Sequence, residues 1–208
     1  MIPVKILAIR YLANASAALC DALGVPRGTP SLGLITTDCD DATYIALDAA
    51  TKAADVEVVY GRSFYAGAAN ASTPNAGEVI GILAGSTPGA VRSGMEAASA
   101  ALERLGFEDI QGVPCLAHTV SSVGSFLSKE AGVALGSALA YLIAPPLEGM
   151  YAMDAALKAA DVSLCKLYTP PTETNFGGGL LSGTRSACEA ACAAFRQAVA
   201  QVAAAPLG

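Results

Sequence analysis

Three carboxylates crowd into four residues, Asp38, Asp40 and Asp41, and a fourth, Glu78, stands just before a later apolar run. Acids at such a spot can cap a helix, because a side-chain oxygen takes up one of the unpaired N–H groups of the first turn. They can also do more. If strand pairing brings Glu78 beside the start of that helix, two or three carboxylates around a narrow opening favour a small cation, an amine or a metal ion. Little else in the chain offers chemistry. His118 is the single histidine, set between Ala117 and Thr119; a lone histidine mid-strand reads as a core or interface residue rather than a base. The six cysteines include no Cys-x-x-Cys pair, and Cys188 and Cys192 fall on one face of a helix, so buried free thiols are expected. No Gly-x-Gly-x-x-Gly follows a strand and no Gly-x-Ser-x-Gly elbow occurs; the glycines at 177–179 precede a short apolar run, not a phosphate-binding helix. The expectation is a protein that is not an enzyme and carries no cofactor, with the metal question open.

The elements that must position these acids come in two copies. The stretch DAATKAADV at residues 48–56 returns at 154–162 with one change, Thr51 to Leu157. Both copies read as the end of a helix entering a strand, and a repeat this long points to a doubled domain. In the first half, strands are predicted over 4–11, 32–36, 56–60 and 79–83. A short helix capped by Asn14 runs through 22, a helix capped by Asp40 or Asp41 runs through 54, and a helix spans 89–105 after Pro88. The second half repeats the order: strands over 115–121, 139–143 and 162–168 and a short one at 180–181, with helices over 123–130, 147–160 and 184–204. Two stretches rich in Gly, Ala, Asn, Thr and Pro lack any apolar period, 61–77 and 169–179, and read as long functional loops. Each half is then a small α+β sandwich, four strands with helices on one face. The division is expected at 1–106 and 107–208.

The composition bounds the setting. The chain has 208 residues, 53% apolar and only 14% charged, with a formal net charge of -6. Scarce charge with abundant Ala and Gly suggests surface covered by other subunits. No basic run invites nucleic acid or an anionic membrane, no stretch reaches about 18 uninterrupted apolar residues, and residues 1–6 do not resemble a secretory signal. A cytosolic protein is expected.

Longer motifs carry a resemblance. SLGLI at 31–35, the acids at 40–41, TYI at 43–45, VEVVYGRS at 56–63, YAGAA at 65–69 and AGEV at 76–79 resemble the tandem-domain shell proteins of ethanolamine-utilisation bacterial microcompartments, L type. So do LAH at 116–118, YLIAPPLE at 141–148, DAALK at 154–158 and ETN at 173–175. The resemblance implies two tandem, circularly permuted, ferredoxin-like shell domains and a homotrimer of pseudo-hexameric outline that tiles edge to edge with other shell proteins. It implies no catalysis. It implies a gated central pore lined by the two loops, here Arg62, Phe64, Tyr65, Asn70, Asn75, Thr172, Asn175 and Phe176. It also implies a smaller opening in each subunit that can hold ethanolamine, matched by Asp40, Asp41, Glu78, Phe107 and Thr174. Two other readings stay open: a duplicated amine-binding or sensor module without shell assembly, and a metal enzyme built on the acidic cluster.

Overall fold

A computed structural model describes residues 1–64 and 77–207, and the chain divides into two compact units. The first comprises Pro3–Leu105 with Gly124–Leu127; the second comprises Met1–Ile2, Gly106–Val123 and Ser128–Gly208.

In the first unit, strands β2 (Ile6–Leu12), β3 (Ser31–Thr37), β4 (Val56–Ser63) and β5 (Val79–Gly85) form an antiparallel sheet in the order β2-β3-β5-β4. Helices α2 (Asp40–Ala53) and α3 (Pro88–Leu102) cover one face. They lie close because glycines replace side chains beneath them: a Cβ on Gly33 would strike Val91 and Met95, and one on Gly81 would strike Leu47. Helix α1 (Ala17–Leu23) does not join them. With Ala15 and Val25, its Leu23 packs on Leu32, Ile82 and Ala84, whose side chains alternate to the other face of the sheet. The expectation of helices on a single face is corrected accordingly.

The second unit holds a six-stranded sheet in the order β1-β6-β7-β8-β10-β9. Its strands are β1 (Ile2–Pro3), β6 (Gly106–Ile110), β7 (Val113–Val120), β8 (Ala138–Ala144), β9 (Val162–Tyr168) and β10 (Gly177–Gly183). Helices α5 (Pro146–Ala159) and α6 (Arg185–Ala204) pack over a core of Phe195, Leu142, Leu181 and Met153 set among alanines and cysteines. Helix α4 is Ser125–Ala131. The shared order β2-β3-β5-β4 and β7-β8-β10-β9 is the doubled domain that the repeat announced.

Several local expectations change. Ser16, not Asn14, caps α1, its hydroxyl accepting from Leu19 N at 3.4 Å. Cys39 occupies the cap position of α2 and makes no side-chain cap bond; Asp40 and Asp41 lie in the first turn, so neither acid caps the helix. The strand expected to stop at 60 runs to Ser63, which puts Arg62 on β4 rather than in a loop. The glycines at 177–179 also leave the loop. They are strand residues because β8 and β9 pass so close that a Cβ on Gly178 would meet Leu142 O and one on Gly179 would meet Lys166 O. Strands β1 and β6 were not expected. β6 turns into β7 through Gln111 (φ 54) and Gly112 (φ 85), the left-handed pair that a two-residue hairpin demands, and Asp109 Oδ1 accepts from Gly112 N at 2.6 Å. Gly106 admits the β1 backbone, since a Cβ there would meet Ile2 O.

Candidate functional site

The carboxylates gather where β3 runs into α2. Antiparallel pairing sets Thr37 of β3 against Val79 of β5, which places Glu78 beside the helix start. The backbone fixes it there: Glu78 N donates to Thr37 O at 2.9 Å, and Phe64 N donates to Glu78 O at 2.8 Å. Gly77 lets the strands approach, because a Cβ would collide with Thr37 O. The corner itself is knotted by hydroxyls. Thr37 Oγ1 accepts from Cys39 N at 3.1 Å and lies 2.7 Å from Thr43 Oγ1. Asp38 points outward, and its Oδ1 accepts from Lys5 N at 2.7 Å.

Asp40 and Asp41 are buried, each 7% exposed, and Glu78 is half-buried. Asp40 Oδ1 accepts from Asp41 N at 2.8 Å. The Ser63 hydroxyl bonds the Asp40 carboxyl and lies 2.6 Å from the Tyr44 hydroxyl. Burial pushes the Asp40 carboxyl above its ordinary range, against the pull of the Ser63 bond. Burial first, then the charges of Asp40 and Asp38, raise Glu78 to about 7. Burial next to these acids also drives the Cys39 thiol far up, so it stays protonated. Crowded carboxylates that resist ionising are stabilised by a cation among them. Among the described residues no three His, Cys, Asp or Glu side chains are grouped to hold a metal ion.

The structure unites Asp40, Asp41 and Glu78 in the first unit; Phe107 and Thr174 belong to the second. There the Phe107 ring packs on Phe176 at 5.3 Å between centroids. Thr172, Thr174, Asn175 and Phe176 share one tight turn, in which Thr172 Oγ1 donates to Phe176 O at 2.9 Å and accepts from Phe176 N at 3.1 Å, with Asn175 at φ 62. Arg62 is exposed on β4 and Phe64 partly buried after it; Tyr65, Asn70 and Asn75 lie outside the described residues. His118 sits on β7 opposite Tyr141. Sequence reasoning missed Ser63 and Tyr44. Tyr44, one helical turn beyond Asp40, was the available signal; Ser63 had none, because it enters through strand pairing.

Comparison with known proteins agrees with this build. Residues 31–112 match the BMC domain. The chain is 55% identical to the bacterial microcompartment shell protein EutL of Clostridium perfringens, over all of this chain and 98% of that protein. It is 49% identical to EutL of Escherichia coli K12, over all of this chain and 96% of that one. The crystal structure of the ethanolamine utilization protein EutL from Leptotrichia buccalis superposes with a TM-score of 0.96 at 54% identity, covering all of this chain and 97% of that chain. Fold, doubled topology and full-length identity together place the chain in the EutL family of bacterial microcompartment shell proteins.

Proposed function

We propose that this chain is a tile of the shell around an ethanolamine-processing compartment, that three copies surround a gated central opening, and that each copy carries a smaller opening that takes up ethanolamine. The β4–β5 and β9–β10 connections, with Arg62, Phe64, Tyr65, Asn70, Asn75, Thr172, Asn175 and Phe176, line the central opening. Asp40 and Glu78, with Asp41, bind the ammonium group in the smaller one; Phe107 and Thr174, which the family resemblance also assigns to it, belong to the second unit. The tile role itself needs no catalysis, only flat contact and a path for small solutes. The division at 106/107 separates the two shell domains.

The observation that carries the small opening is the carboxylate pair: Asp40 and Glu78 stand together, both disinclined to ionise, beside the hydroxyls of Ser63 and Tyr44. A bound ammonium offsets their mutual repulsion and desolvation. An alkyl amine stays protonated near neutrality, as lysine does, so affinity rises with pH as Glu78 ionises through about 7. Calorimetric titration with ethanolamine tests this. Asp40→Asn and Glu78→Gln should each weaken binding on the order of tenfold or more, the loss of a charge-assisted bond, with assembly unchanged. Equal affinity in wild type and both variants would falsify the assignment.

A further inference from the structure

The first unit's sheet has a second face, turned away from α2 and α3. Gly33 and Gly81 lie beneath Val91, Met95 and Leu47, so by alternation Leu34, Thr36, Ile80 and Ile82 point the other way. Antiparallel register sorts that face into two adjacent rows: Ala8, Thr36, Ile80 and Arg62, then Arg10, Leu34, Ile82 and Tyr60. Leu23 of α1 and Val25 after it pack on Leu32, Ile82 and Ala84 at one end. Beyond them Leu34, Thr36 and Ile80 stay half-buried, Tyr60 is 38% exposed, and Arg10 and Arg62 are exposed.

Three donors on this face go unanswered. Arg10 and Arg62 stand on the two edge strands with β3 and β5 between them, a gap of about 14 Å at ordinary strand spacing. Among the described residues neither forms an ion pair with a carboxylate; Arg10 Nη1 donates to its neighbour's carbonyl, Ile9 O, at 2.8 Å. Glu57, opposite Ala84, falls a row past Tyr60 and not between the arginines. Thr36 does lie between them, and among the described residues its Oγ1 is buried with no hydrogen-bond partner. Such a hydroxyl costs stability until an acceptor reaches it. The second unit closes the same face. There the rows are Leu116, Ile143, Gly178 and Tyr168, then His118, Tyr141, Leu180 and Lys166. Ile143 replaces Thr36, Tyr141 and Leu180 are 1% and 0% exposed, and Lys166 Nζ is held by Glu130 Oε2 of α4 at 2.7 Å.

We propose that the open face of the first unit binds a phosphate monoester with an apolar body. Such a group carries a charge of about −1.5 to −2 near neutrality and three acceptor oxygens. Arg10 and Arg62 grip it from the two edges, their planar forks matched to its oxygens. The Thr36 hydroxyl donates to the remaining oxygen, with only the small Ala8 beside it in the row. The body of the ligand lies on Leu34 and Ile80 with the Tyr60 ring at its side. A carboxylate, with one charge and two oxygens, leaves one of the three donors unanswered. The site rests on the place of Arg62 on β4 and not on the tile reading.

Calorimetric titration of the full chain with phenyl phosphate tests it. The wild type should bind saturably and lose affinity as salt is added. Benzoate, which lacks the third oxygen, and inorganic phosphate, which lacks the body, should each bind at least about tenfold more weakly. Arg10→Ala and Arg62→Ala should each weaken phenyl phosphate by at least about tenfold with unchanged thermal melts, both being exposed. Thr36→Val should weaken it about fivefold without lowering the melting midpoint, since it removes a hydroxyl that has no partner. A lowered midpoint would mean the hydroxyl is already bonded and would overturn its part. A wild type that takes up no phenyl phosphate at millimolar concentration, arginine variants that bind it as wild type does, or benzoate bound equally well overturns the site. Each of those results leaves ethanolamine uptake at the acid corner and the tile reading as they stand.

Discussion

Two corners of this molecule share a backbone and differ in chemistry. In the first unit, α2 opens with Asp40 and Asp41, and Glu78 precedes β5. In the second, α5 opens with Pro146 and Leu147, and Phe176 precedes β10. One corner is a cluster of acids with hydroxyl partners; the other is closed by a proline start and by Phe107 against Phe176. Duplication copied the scaffold, and divergence left clustered acids in one half and a packed ring pair in the other. A single charged corner per chain keeps the repulsive cost of crowded carboxylates to one place, while the twin corner contributes packing.

The helices beyond the corners give the largest test of this divergence. Asp48→Ala should destabilise the chain by about 3 kcal/mol, because it strips a fully buried carboxylate from Gly124 N, Leu127 N and Lys52, 3.2 Å away. Asp154→Ala should change the monomer by less than about 0.5 kcal/mol, its 2.6 Å pair with Lys158 being a solvated surface contact. Denaturant melts of both decide the matter, and equal losses would show that the two copies are not differently used. Next in size, Phe176→Ala should cost about 2 kcal/mol by removing the ring packed on Phe107, whereas an ordinary solvent-facing plug would cost almost nothing in the same melt.

The last test is a pH dependence. Glu78 has a folded pKa of about 7, above the 4.5 of a free glutamate. Between those values the folded chain keeps a proton that the unfolded chain releases, so stability falls as pH rises from 4.5 towards 7. Glu78→Gln removes that slope. The variant should match wild type at about pH 4 and exceed it at about pH 8 in denaturant midpoint, with ethanolamine narrowing the gap. Parallel curves for the two proteins would mean that Glu78 is solvated like any surface acid.

Much of this was legible in the residues alone. The nine-residue repeat announced the doubling, and the apolar periods placed the element order, because helix and strand periodicity is local. The acids at 38–41 marked their own corner. Their role was misjudged locally: an acid before an apolar period reads as a cap, but Cys39 takes that position and the acids fall one step inside the helix. Glycine misled in the same way. At 177–179 it looked like loop composition, although it serves close strand approach, which only neighbouring backbones reveal.

The amino-acid order by itself determined that there are two copies, how their elements succeed one another and where acids, thiols and glycine-rich stretches fall, since those properties depend on neighbours along the chain. Tertiary structure alone decided that Glu78 and Ser63 reach Asp40, that β1 pairs with β6, and that Asp48 is sealed while Asp154 faces solvent. Those outcomes depend on which distant backbone segments pack together, and nine nearly identical residues cannot encode two different surroundings.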